Sequence, residues 1–170
     1  MTDDRLCRRV LWAMPGGLYV VGSRAGAERN LMTANLVQQV ATSPALVAAA
    51  VDAGAVTHRL VAEGGCFAVS LLRREDRAVV RRFVKPVPAD AVVRDAGGRA
   101  ESMGGEAVHE AATGAPVLAR AAAWVDCEVR HRLDLGSHTL FVGEVVAVGA
   151  TGEELPPVLR MEDTRMHYGG

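Results

Sequence analysis

Asn30-Leu31-Met32-Thr33-Ala34-Asn35, followed by Ser43-Pro44-Ala45-Leu46-Val47 and then by Thr57-His58-Arg59-Leu60, is the stretch on which the reading of this chain turns. It sets amide, hydroxyl and backbone donors just before an apolar run, and then a hydroxyl at a helix start. Such a spread of groups suits an anionic, planar, hydrogen-bonding ligand. Asn30 to Val40 reads as a strand that returns from an earlier one at Leu18–Val21. That earlier run lies between Gly16-Gly17 and Gly22-Ser23, and residues 23–29 are polar and turn-prone. Thr57 to Glu63, closed by Gly64-Gly65, reads as a short helix with a hydroxyl cap and a glycine stop. For Ala45 to Val51 two readings compete. Ser43-Pro44 and the alanines favour a helix start, whereas the short length before Asp52-Ala53-Gly54 suits a buried strand.

Downstream, Cys66 to Leu72 is apolar enough for a further strand, and Glu75 to Phe83 reads as an arginine-rich helix. Glu75 and Asp76 interrupt the run Arg73, Arg74, Arg77, Arg81 and Arg82, as on a solvated helix surface. Prolines and glycines punctuate Lys85 to Arg120, a long excursion that carries short elements and covers one side of the fold. Val125, Cys127 and Val129 then alternate with Asp126, Glu128 and Arg130, the period of a half-buried strand. His138 to Val148 is a β-rich partner across the Gly136-Ser137 turn, in which Gly143 marks a bulge or a close backbone approach. The chain therefore reads as one domain spanning residues 1–170, mainly β with peripheral helices.

Composition limits the function classes. A formal charge of -1 over 170 residues gives no basic field for nucleic acid. Half the residues are apolar but few are aromatic, so alanine, valine and leucine do most of the packing. Cys7, Cys66 and Cys127 form no C-x-x-C pair, which argues against a zinc ribbon or a dithiol and fits a reducing compartment. Cys66 and Cys127 read as small buried hydrophobes. The acidic start, Met1 to Leu6, has no signal-peptide run, and no stretch has the length of a membrane span. A cytoplasmic protein is expected. There is no G-x-G-x-x-G, P-loop or G-x-S-x-G. His109-Glu110-Ala111-Ala112 begins like a zinc-protease helix, but Thr113 stands where the second ligand belongs. His58, His109, His131, His138 and His167 have no ligand spacing, so no metal site is expected.

The opening stretch resembles the flavin reductase-like family, the FMN-binding split barrels. The resemblance continues in Glu63-Gly64-Gly65-Cys66-Phe67-Ala68-Val69-Ser70-Leu71-Leu72, in Thr113-Gly114-Ala115-Pro116-Val117-Leu118, and in Gly136-Ser137-His138-Thr139-Leu140-Phe141-Val142-Gly143-Glu144-Val145. The blocks stand in family order from about Gly17 to Ala150. The resemblance implies a split Greek-key β-barrel and turns Ala45–Val51 into a strand. It also implies that Asn30, Thr33, Ala34 and Asn35 contact the flavin ring, with Met32 either beside the ring or filling core. Locally Asn30 also reads as a turn residue. Thr57, with His58 and Arg59, is expected to meet the FMN phosphate at a helix N-terminus, a role compatible with plain capping. The histidine matching His138 lies near the flavin and the nicotinamide in family members, whereas locally it reads equally well as turn surface.

The implied activity is an NAD(P)H-dependent flavin reductase. FMN (or FAD) is the acceptor, NADH or NADPH the donor, and a partner monooxygenase a frequent recipient of the reduced flavin. Hydride transfer needs no side-chain acid or base, consistent with the lack of a catalytic dyad. The rival is a flavin-binding electron carrier without its own nicotinamide turnover. A homodimer is expected from the apolar surplus. The polar tail from Arg160, with Tyr168 as a stacking candidate, is expected over the site or a neighbouring subunit.

Overall fold

The computed structural model describes residues 4–164 and residue 166; Arg165, His167 and Tyr168 of the expected tail contact lie outside the described residues. A helix, α1 (Asp4–Trp12), precedes four strands, β1 (Tyr19–Ala25), β2 (Glu28–Ala34), β3 (Val37–Thr42) and β4 (Ala45–Asp52). Helix α2 (Val56–Gly64) and β5 (Cys66–Leu71) follow, then the short β6 (Val92–Arg94), β7 (Ala100–Met103), β8 (Glu106–Glu110) and β9 (Pro116–Leu118). The long hairpin of β10 (Ala123–Asp134) and β11 (His138–Ala150) completes the set.

Two antiparallel sheets result. The larger runs β2-β1-β5-β10-β11-β4-β3 and the smaller β6-β7-β8-β9. The outermost strands of the larger sheet, β2 and β3, are joined by Asn35 and Leu36 alone. Laid flat, six strand spacings would part them by about 29 Å. The link from Ala34 to Val37 is three Cα steps, at most about 11 Å. The sheet is therefore curled until its edges approach at this link. Packing agrees, because every strand of the sheet feeds one cluster. Val21, Ala34, Val37, Ala49, Val51, Phe67, Val69, Cys127 and Phe141 meet Val61 of α2 inside the curl.

Alternation along β1 sends the next residue the other way. Val20, with Leu18, Leu31, Leu72, Val80, Phe83, Met103, Leu118 and Leu159, forms a second core under the excursion. Charged groups fasten that cover. Arg120 bonds Asp76 at 2.6 Å, and Arg120 and Arg82 both reach Glu106, at 3.4 and 3.3 Å. Arg29 and Glu110 pair at 3.1 Å with both side chains largely buried. Burial works against the charge on Glu110, but the hydrogen bonds from Arg29 and the Ala100 N–H hold its pKa below the ordinary value.

Two expectations are corrected. Asn30–Val40 is not one strand: β2 ends at Ala34, and the chain crosses to the opposite sheet edge before β3 begins. The arginine run forms no α-helix but two 3-10 segments, Arg74–Asp76 and Val79–Phe83. Val79, Val80 and Phe83 must all enter the second core while the arginines reach Asp76, Glu106 and Asp163. Helix α1 was unassigned in the sequence, and none of its residues is buried. Ala45–Val51 is a strand, paired with β3 on one side and β11 on the other, and Ser43-Pro44 is the turn before it.

Gly143 marks both a close approach and a neighbouring irregularity in the β10–β11 register. A Cβ there would lie 2.7 Å from the Cys127 Cβ and 2.8 Å from the Phe67 ring. Overpacking of this kind costs about 1–3 kcal/mol. Gly143→Ala is therefore expected to lower the urea midpoint accordingly, and an unchanged midpoint would show that the inner core has slack. Burial, reinforced by the Asp126 charge, pushes the Cys127 thiol up to about 12. With alkylating reagent at mildly alkaline pH, the folded protein is expected to label at half-buried Cys7, while Cys127 labels only after denaturation.

Candidate functional site

Helix α2 starts where β4 ends. Asp52 Oδ1 accepts the Gly54 N–H at 2.7 Å, and the Asp52 carbonyl accepts the Ala55 N–H at 3.0 Å, turning the chain sharply. The N-cap is Ala55, extended and without a side-chain cap bond, and no acidic residue stands in the first turn. The N–H groups of Val56, Thr57 and His58 consequently have no acceptor among the described residues. They form the positive end of the helix dipole, with no acidic residue in the turn itself. At the other end, Gly65 is left-handed (φ 66°) and its N–H closes on the Val61 carbonyl. The glycine stop is as expected. The hydroxyl cap is not: the helix begins one residue earlier, so Thr57 lies inside its first turn.

Thr57 is fully buried and faces β2. Asn30 Nδ2 donates to Thr57 Oγ1 at 2.9 Å, and Asn30 Oδ1 accepts the Val87 N–H at 2.9 Å. One carboxamide thus joins β2, α2 and the segment before β6. Ser23, opposite Asn30 in the β1–β2 register, is also fully buried, and its hydroxyl has no partner among the described residues. The next helical residue points elsewhere. His58 Nε2 hydrogen-bonds Thr139 Oγ1 at 2.8 Å, and its ring lies tilted on Phe141 with centroids 5.3 Å apart. Arg59 turns outward, to Glu28 at 2.6 Å and Glu63 at 3.4 Å. The hydrogen bond to Glu28 keeps its guanidinium pKa above the ordinary value.

His138 opens β11 opposite Asp52, the last residue of β4, and is half-buried. Its Nδ1 lies 2.9 Å from Ser137 Oγ. The structure therefore gathers Asn30 with Thr57, and His58 with the Thr139 next to His138, around the start of α2. Of the other candidates, Met32 is half-buried against the inner core and Ala34 is part of it. Thr33 faces the second core, where its hydroxyl donates to the Val80 carbonyl. Asn35 is half-buried in the link between the sheet edges. Thr139 was missed by sequence reasoning. The available signal was its parity with Phe141, which puts a hydroxyl on the inward face of an apolar strand. Among the described residues no group of three or more His, Cys, Asp or Glu is placed to hold a metal ion, and no helix is long and apolar enough to cross a membrane.

Comparison with known proteins places this architecture. The family described as flavin reductase like domain matches residues 11–170. An NADH-dependent FAD reductase of Streptomyces globisporus is 34% identical over 139 residues, covering 82% of this chain and 72% of that protein. The solved NADH:FAD oxidoreductase of the same organism, in complex with NAD and FAD fragments, superposes with a TM-score of 0.71 at 30% identity, over 88% of this chain and 84% of that one. A putative diflavin flavoprotein of Thermosynechococcus vestitus, 28% identical over 81% of this chain, is matched over 23% of its own length. Fold and comparisons define one class, a mainly antiparallel β protein built like the flavin reductases. The chain belongs to the flavin reductase-like family.

Replacing Asn30 by alanine strips a donor from Thr57 and an acceptor from Val87 at a fully buried position. Each orphaned polar group costs about 1–3 kcal/mol. Chemical denaturation of Asn30→Ala is expected to show a loss of at least about 2 kcal/mol by that figure. A loss below about 0.5 kcal/mol would mean that water replaces both bonds.

Proposed function

We propose that this protein is an NAD(P)H-dependent flavin reductase that passes hydride from a reduced nicotinamide to flavin. FMN or FAD is the acceptor. The observation that carries the reading is the meeting, at one corner, of an anion-ready helix start and a histidine. Among the described residues the N–H groups of Val56, Thr57 and His58 have no acceptor, no acidic residue stands in the turn, and His138 lies at the adjacent end of β4 and β11. Family membership supports it, as does the relative of known structure that carries NAD and FAD fragments.

The residues present fit a flavin in a particular way. The first turn of α2 suits the phosphate, since backbone N–H groups and the helix dipole favour an anion there. Thr57 is in that turn, whereas His58 and Arg59 add less than the sequence implied because Thr139, Glu28 and Glu63 engage them. For the ring, β2 is a sheet edge, so its outer backbone groups from Thr33 to Asn35 provide donors and acceptors for the polar rim. Met32 and Ala34 give an apolar surface beside them. Asn30 and Thr33 act through their backbone positions, their side chains being engaged within the protein. A bound flavin supplies the hydride-accepting chemistry. The chain's own part is to bind, to align and to keep water away, with His138 orienting the nicotinamide.

The fold is read as a split barrel, supported by the two-residue link between the sheet edges. A homodimer fits the exposed apolar side chains of α1, Leu6, Val10, Leu11 and Trp12, and a partner monooxygenase is the recipient of the reduced flavin. Three free thiols suit the cytoplasm. The second reading, an electron carrier that holds FMN and does not turn over nicotinamide, is favoured by the partial match to a diflavin flavoprotein.

The test is steady-state oxidation of NADH and NADPH by purified protein with FMN or FAD. Turnover with either nucleotide supports the reductase; a yellow protein inert to both supports the carrier. In stopped flow, His138→Ala is expected to slow flavin bleaching by roughly 10–100-fold, because small losses of alignment are costly. Flavin affinity is expected to stay within about twofold, since the donors of α2 and β2 are untouched. Equal bleaching rates in the two proteins would remove His138 from the site.

A further inference from the structure

His58 sits at the start of α2, yet its ring turns away from the helix N-terminus. Its Nε2 meets Thr139 Oγ1 at 2.8 Å, and Thr139 is buried on the inward face of β11. Phe141, two residues on, supports the same ring. Thr139 is the residue after His138. The residue before it is held as well, because the Ser137 carbonyl accepts the Ala53 N–H at 3.0 Å. Both neighbours of His138 are thus fastened to the corner between β4 and α2, one through backbone and one through His58.

That fastening adds a side-chain tie to the ladder, in which Thr139 pairs with Val51 of β4 and Asp134 of β10, at the point where the support from neighbouring strands ends. The β5 ladder on β10 stops at Glu128, and β4 reaches along β11 only as far as His138. From His131 to Ser137 the hairpin is exposed. Side chains alternate across a strand, so a tilt at Thr139 swings His138 on the opposite face. We infer that His58 is a positioning residue for the nicotinamide side of the site, acting through Thr139 to fix where the His138 imidazole points. This rests on the reductase reading and replaces the phosphate role that the sequence implied for His58.

Four variants test it: His58→Leu, His58→Gln, Thr139→Val and the double variant His58→Leu/Thr139→Val. Each is measured for flavin affinity, for kcat and KM with NADH and NADPH, and for the imidazole NMR signals of His138. Loss of one hydrogen bond predicts a fall of about fivefold in kcat/KM for His58→Leu and for Thr139→Val. The double variant falls no further than either single one, since both remove the same bond. His58→Gln, whose amide has similar reach, recovers most of the loss. Flavin affinity stays within about twofold throughout, and the His138 signals broaden or split in the two deficient single variants. Multiplicative losses in the double variant, unshifted His138 signals, or weaker flavin binding in His58→Leu would each overturn the proposal, the last by returning His58 to the phosphate. If the wild type oxidises neither nucleotide, the reductase reading fails by itself. The NMR comparison still decides whether His58 sets the orientation of His138.

Discussion

The constraint on which this structure depends is covalent: the two residues Asn35 and Leu36 join strands that lie at opposite edges of a seven-stranded sheet. No flat arrangement satisfies them. Curling the sheet brings the edges close at one end and turns one face inward, and that face is filled from every strand. Small side chains make this possible. Ala34, Ala49 and Gly143 leave room for Phe67 and Phe141, so an aromatic-poor chain still fills the space inside the curl.

Helix α2 belongs to the same geometry. It starts at the end of β4 and carries consecutive residues that reach opposite ways, Thr57 to Asn30 on β2 and His58 to Thr139 on β11. The helix thus acts as a strut between regions that are far apart along the sheet order. Those two side chains are occupied by that task, and among the described residues its first N–H groups have no acceptor, as the proposed phosphate site requires. Rigid support of this kind is what a hydride transfer needs, because alignment rather than acid–base chemistry is the protein's contribution.

Much of this was legible in the sequence, and the limits have physical reasons. The alternation of Val125, Cys127 and Val129 with polar residues marks β10 directly, and the glycines after Glu63 mark the end of α2. Ala45–Val51 carries contradictory local signals, and only its pairing on both sides makes it a strand. The break at Asn35-Leu36 has no turn signature, because the chain there crosses between sheet edges instead of reversing. The arginine run read as a solvated helix because Glu106 and Asp163, which Arg82 and Arg74 reach, and Arg120, which pairs with the buried Asp76, are all distant in sequence. At the proposed site, residue types gave no signal for the direction of each side chain. Thr33 and Asn30 were read as ligand contacts from their donors, whereas those donors serve Val80, Thr57 and Val87.

The most direct measurement of the central claim lengthens the link. Two glycines inserted between Asn35 and Leu36 relax the covalent tie without altering any side chain of either core. Flavin affinity of that variant is compared with wild type by fluorescence quenching, with thermal unfolding as a control for folding. If closure of the sheet edges forms the site, the variant folds with a lower midpoint and binds flavin at least about tenfold more weakly, the equivalent of about 1.4 kcal/mol. Wild-type affinity in a variant with the longer link would contradict the account.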